Sequence, residues 1–124
     1  MLEMNRPLSP HLSIHKKVLT AVFSIFHRFT GIGLSVGAFL LSCWIIILAL
    51  GEKYYGIFQT ISSFFIFKII LFLWSLALFY HLYNGIRYLI WSYGKMMDLK
   101  IVYITGYAVL VLSFTSTLMV WLLV

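Results

Sequence analysis

Three long apolar stretches, each closed by a small cluster of polar residues, set the pattern of the chain. Residues 29–51 form a run of 23 without Asp, Glu, Lys, Arg or His. At about 1.5 Å of helical rise per residue, such a run crosses hydrocarbon roughly 30 Å thick with some tilt. Apolar character reaches back to about Thr20 through Ala21, Val22, Phe23, Ile25 and Phe26, interrupted by Ser24, His27 and Arg28. A first helix is therefore expected over residues 20–51, with those three polar residues at a membrane boundary. A second is expected over 64–90, carrying Lys68 near one end, Arg87 near the other and His81 well inside. A third, over 101–124, is free of charge. The connections are short: Glu52 to about Ser63, with Gly51 and Gly56 as breakers, and Trp91 to Lys100, with Gly94. Membrane-spanning strands would alternate in polarity over about ten residues, whereas these runs are longer and apolar on every face. The pattern predicts an all-α integral membrane protein with three transmembrane helices, a single domain over residues 1–124 and no internal repeat.

Composition removes the soluble alternatives. Of 124 residues, 63% are hydrophobic and 10% charged, too little polar surface for a water-soluble enzyme domain. The net charge of +6 does not indicate nucleic acid, because the basic residues sit at the ends of apolar segments and form no stripe along which a phosphate backbone could run. They read as membrane topology. Arg6, Lys16, Lys17, Arg28, Arg87, Lys95 and Lys100 fall on the side of the N-terminal segment and second connection, against Lys53 and Lys68 on the other. That bias puts the N-terminus, with its inner-side segment 1–19, inside and the C-terminus outside. Lys68 and Arg87 are expected to snorkel to the two interfaces. Residues 1–17 lack an apolar core and a small-residue cleavage site, so no cleavable signal is expected. Without an Arg-rich, Ser-rich transit segment, a bacterial inner membrane is favoured over a mitochondrial one. Cys43, alone in an apolar run, reads as a packing residue.

Few residues remain for chemistry. His81 lies roughly 9 Å deeper than Arg87 by helical rise and needs a partner. An ionisable group at that depth is a functional-site candidate by default. Gly85 at i+4 cuts away the helix surface below the imidazole, beside Asn84 and Tyr88, so a flat macrocycle has room there. Neutral imidazole is a good haem-iron ligand. The plainer reading is a packing glycine beside a histidine bonded to a neighbouring helix. Ser24, His27, Arg28 and Gly31 share one face at the inner mouth of the first helix. Arg28 suits a carboxylate or a developing oxyanion and Ser24 a carbonyl oxygen, unless Arg28 simply anchors to lipid phosphate. Gly33 with Gly37, and Gly31 with Ser35, allow close helix approach in lipid. Trp44, Tyr54, Tyr55, Trp91, Tyr93, Tyr103 and Trp121 read as the interfacial belt.

The motifs themselves resemble those of a known family. Arg6-Pro7-Leu8-Ser9-Pro10-His11-Leu12, followed by Ser24-Ile25-Phe26-His27-Arg28-Phe29-Thr30-Gly31, is similar to the N-terminal signature of the cytochrome b556 subunit of succinate dehydrogenase. His81-Leu82-Tyr83-Asn84-Gly85-Ile86-Arg87-Tyr88-Leu89-Ile90-Trp91 resembles that family's second signature. It departs from it at Tyr88 and Ser92, where the family carries His or Phe and then Asp; the role of that carboxylate is not carried over. The resemblance implies a membrane anchor that is no enzyme alone. With a second hydrophobic anchor subunit it would hold the flavoprotein and iron-sulfur subunits at the membrane and share one haem b. His81 falls on the axial ligand to the haem iron, the opposite ligand coming from the partner. His27 and Arg28 fall on positions associated with the haem propionates, and Ser24 and Arg28 on those lining the ubiquinone pocket. A guanidinium and a hydroxyl at a partly dehydrated interface would stabilise the negative charge that forms on the quinone oxygens during reduction. Lys16, Lys17, Lys95 and Lys100 would face anionic lipid and the peripheral partners. The alternative is a haem-free structural anchor or assembly subunit. A transporter component, with His81 as a proton relay, is disfavoured because between Lys68 and His81 the polar path holds only Ser75 apart from aromatic tips.

Overall fold

The computed structural model describes residues 19–123. Residues 1–18, with Arg6, Lys16, Lys17 and the motif at 6–12, and Val124 lie outside the described residues. Four helices follow in order: α1 Leu19–Ala49, α2 Glu52–Ser62, α3 Phe65–Ser92 and α4 Leu99–Leu123. No strand occurs among the described residues. Helices α1, α3 and α4, of 31, 28 and 25 residues, are long and apolar enough to cross a membrane. At 1.5 Å per residue they extend about 46, 42 and 38 Å, the span of a bilayer with part of its headgroup layers.

Their ends follow from local chemistry. Gly51 (φ +103°) separates α1 from α2, and Gly94 (φ +69°) follows α3 with its N–H bonded to the Trp91 carbonyl at 2.9 Å. A side chain at either position would be strained, so glycine stops the helix there. Gly56 stops nothing. It lies inside α2, and the segment expected as a plain connection is an 11-residue helix. One glycine costs a helix about 1 kcal/mol relative to alanine, which packing readily offsets. Here Phe58 lies between Trp44 of α1 and Phe67 of α3, with ring centroids 6.3 and 6.0 Å away, and holds α2 against both spans.

Helix α3 is central, with α1 and α4 each antiparallel to it. In lipid no hydrophobic driving force separates apolar side chains from the surrounding tails, so association rests on close approach and interhelical hydrogen bonds. Both are visible. Along α4 the buried residues are Val102, Gly106, Val109, Ser113 and Thr117, a narrow stripe at helical spacing. Ser113 and Thr117 turn their hydroxyls back to the Val109 and Ser113 carbonyls at 2.6 and 2.8 Å. This satisfies them within α4 and leaves a low surface for α3. Across that seam the Tyr83 and Ser116 hydroxyls meet at 2.8 Å, and the Trp121 indole donates to Ser75 Oγ at 3.0 Å. Trp121 therefore ties two spans together rather than serving only in an interfacial belt. On the other seam, Phe23 stacks on Tyr80, whose hydroxyl donates to the Phe23 carbonyl at 2.9 Å.

Arg87 corrects an expectation. It does not snorkel: it is 4% exposed. Its Nε donates to Thr105 Oγ1 at 3.0 Å, one terminal nitrogen to Asn84 Oδ1 at 3.3 Å and the other to the Val102 carbonyl at 2.7 Å. The guanidinium also lies 4.2 Å from the Trp91 ring centroid and 5.4 Å from that of Phe23. Three hydrogen bonds and two aromatic faces offer it more than a lipid headgroup within snorkelling reach, and Trp91 is drawn inward with it. Arg87 thus leaves the tally of interfacial charges; the remaining basic residues keep the same bias.

Candidate functional site

The antiparallel packing of α1 and α3 brings both candidate histidines to one place. His27, eight residues into α1, and His81, eleven residues before the end of α3, lie side by side with ring centroids 3.9 Å apart and planes 6° from parallel. Glycines make this possible. A Cβ at Gly31 would sit 3.1 Å from His81 Cε1, and one at Gly85 would sit 3.6 Å from His27 Cε1. Each helix leaves out a side chain opposite the other's imidazole, so the room above Gly85 holds the His27 ring. Farther along α1 a Cβ at Gly37 would overlap the Trp74 indole, while Gly33 has nothing nearby. The close approach therefore runs through Gly31 and Gly37, and Gly33 takes no part in it.

Hydrogen bonds fix the His81 ring. Its Nδ1 is 3.1 Å from the His27 carbonyl oxygen and 3.1 Å from Thr30 Oγ1, and the Thr30 hydroxyl donates to that same carbonyl at 2.9 Å. A carbonyl only accepts, so Nδ1 carries the proton and donates. The lone pair of neutral imidazole is then on Nε2, which has no hydrogen bond among the described residues. An oriented Nδ1–H and a free Nε2 are what a metal-ligating histidine needs. The residues present fit a haem iron on that nitrogen. His27 is held differently: Tyr88 packs edge-on against it at 5.1 Å, and its Nδ1 is buried without a partner among the described residues. Among the described residues the Tyr88 hydroxyl, Trp91 Nε1 and Asn84 Nδ2 are likewise buried and unpaired.

Ser24 and Arg28 stand on the flank of the same α1 turn, Ser24 half-buried and Arg28 exposed. Neither enters the hydrogen bonds around His81. Within this chain they are brought beside the histidines without being engaged by them. Two contributors were not read from the sequence. Thr30 carries no chemical signal of its own in the sequence, although its place three residues after His27 puts it on the same face. The Arg87–Asn84 pair is also spaced by three, but an arginine near the end of a membrane helix has the sequence signature of an interfacial charge.

Comparison with known proteins decides the family. Residues 3–120 match the succinate dehydrogenase/fumarate reductase transmembrane subunit family. The chain belongs to that family. A succinate dehydrogenase cytochrome b556 subunit of Rickettsia felis is 41% identical, over 94% of this chain and 90% of the relative. A succinate dehydrogenase cytochrome b560 subunit of Reclinomonas americana is 39% identical over 98% of this chain and 88% of the relative, and one of Marchantia polymorpha 38% identical over 85% and 80%. As a transmembrane subunit of this family the chain is a component of a larger membrane enzyme and is not catalytic by itself.

Proposed function

We propose that the chain is the cytochrome b anchor subunit of a succinate dehydrogenase, binding haem b together with a second hydrophobic anchor subunit. Flavoprotein and iron-sulfur subunits would dock on the inner side. The observation that carries this reading is the state of His81: a histidine deep in a membrane helix, its Nδ1–H held by a carbonyl and a hydroxyl and its Nε2 without a hydrogen bond among the described residues. Orphaned polar atoms are costly in hydrocarbon, and a metal at Nε2 would satisfy the His81 nitrogen that hydrogen bonds leave over. His81 is the residue that would ligate the iron, with His27 and Arg28 toward the propionates. Gly85 acts by seating His27. When bound, haem would supply a one-electron acceptor between the two anchors.

Ser24 and Arg28 would serve the ubiquinone. On the flank of α1 both are free to meet a ligand held between this chain and its partners: the Ser24 hydroxyl donates to one quinone carbonyl, and Arg28 stabilises the negative charge that develops on reduction. The N-terminus is inside and the C-terminus outside, supported by the basic residues that flank α1, α3 and α4, and the Rickettsia relatives support a bacterial inner membrane. The choice between a cytochrome and a haem-free anchor is settled by pigment. The complex purified in mild detergent should show the reduced-minus-oxidised bands of a b-type cytochrome together with quinone reductase activity. A colourless complex that reduces quinone at full rate would leave only the haem-free anchor.

A further inference from the structure

We infer that Thr30 is the positioning residue for the haem ligand, fixing the tautomer and rotation of His81; this rests on His81 being that ligand. Three atoms form a closed triangle: Thr30 Oγ1 donates to the His27 carbonyl at 2.9 Å, and His81 Nδ1 lies 3.1 Å from each of the two oxygens. The hydroxyl proton is committed to the carbonyl, so Thr30 can only accept from His81. Both oxygens therefore demand the same thing of the imidazole, a proton on Nδ1. Two acceptors 2.9 Å apart also fix the ring plane, which a single bond would leave free to swing. Gly31 completes the arrangement, because its missing side chain lets the imidazole edge reach the triangle. In the apolar surroundings each bond is electrostatically stronger than in water, and the hydroxyl is polarised by the carbonyl it serves. Accepting from Nδ1–H makes Nε2 more basic, which favours ferric over ferrous iron. Thr30 thus holds the haem potential down as well as orienting the ring.

The test is the midpoint potential and low-spin electron paramagnetic resonance spectrum of haem in the intact complex, for Thr30→Val and Thr30→Ser. Valine keeps the shape and removes the hydroxyl; serine keeps the hydroxyl and removes the methyl. Thr30→Val is expected to raise the potential, by about 59 mV if the relative affinity for ferric haem falls tenfold, and to broaden the spectrum through freed ring rotation. Thr30→Ser should stay at the wild-type values. Wild-type potential and spectrum in Thr30→Val, or equal shifts in both variants, would overturn the role of the hydroxyl. His81→Leu is measured alongside: if it keeps the low-spin spectrum, the ligand assignment fails first, independently of Thr30.

Discussion

Gly31 and Gly33 offer an internally controlled test of how the ligand is seated. They are two residues apart on α1, and replacing either with leucine adds the same apolar side chain and the same helix propensity. Their surroundings differ. A Cβ at Gly31 would stand 3.1 Å from His81 Cε1 and 3.8 Å from its Nδ1, inside the 3.4 Å at which ordinary contact begins, whereas one at Gly33 meets nothing within 4 Å. A lone methyl needs only a few tenths of an ångström, so Gly31→Ala should be mild. Leucine carries three further carbons into the space of the imidazole and must displace the ring or part α1 from α3. Overpacking of this kind costs about 1–3 kcal/mol, roughly a 5- to 150-fold loss in the population with His81 in place. The assay is haem content per purified complex with the low-spin spectrum, and native gels as the control for assembly. Gly31→Leu should lose most of its haem or its low-spin character, and Gly33→Leu should match wild type. Equal haem and identical spectra in the two variants would refute the claim that the ligand is seated on Gly31.

Three further outcomes are expected. Arg28→Ala and Ser24→Ala should each lower quinone reduction sharply, by about 100-fold where an oxyanion-stabilising donor is lost, while dye reduction by the soluble subunits persists; wild-type rates in both assays would move the quinone site elsewhere. Arg87→Met should destabilise the subunit by about 1–3 kcal/mol because fully buried Asn84 loses its donor, read as a lower midpoint in detergent unfolding. Arg87→Lys should not restore it, since an ammonium cannot reproduce the fork. Gly106→Leu should disrupt the packing of α4, because even a Cβ there would stand 2.9 Å from Phe23; the check is protease protection of α4 in membranes.

Much of the architecture was legible because long uncharged runs in lipid have one stable backbone solution, the helix. The gathering of functional residues was legible in part. His81 stood out by depth, and Ser24, His27 and Arg28 by shared spacing. What a single sequence does not carry is which residues meet across two helices. The stacking of His27 on His81 depends on how α1 and α3 are set against each other, which Gly31, Gly37 and Gly85 decide together. Gly33 belongs to a motif of the right form and faces open space. Arg87 was misread because position along a helix gives depth but not direction: it points toward Thr105 and Val102 of α4, fifteen or more residues away in the chain. Helix α2 was read as a connection because Gly56 counts as a breaker only until Phe58 finds Trp44 and Phe67.

Two imidazoles lie 3.9 Å apart, and the central claim is that His81 alone ligates the iron. The most direct measurement is low-spin haem electron paramagnetic resonance on the intact complex carrying His81→Leu or His27→Leu. Loss of the low-spin signal in His81→Leu, with the signal kept though shifted in His27→Leu, is the expected result; the reverse pattern, or an unchanged signal in His81→Leu, would contradict it.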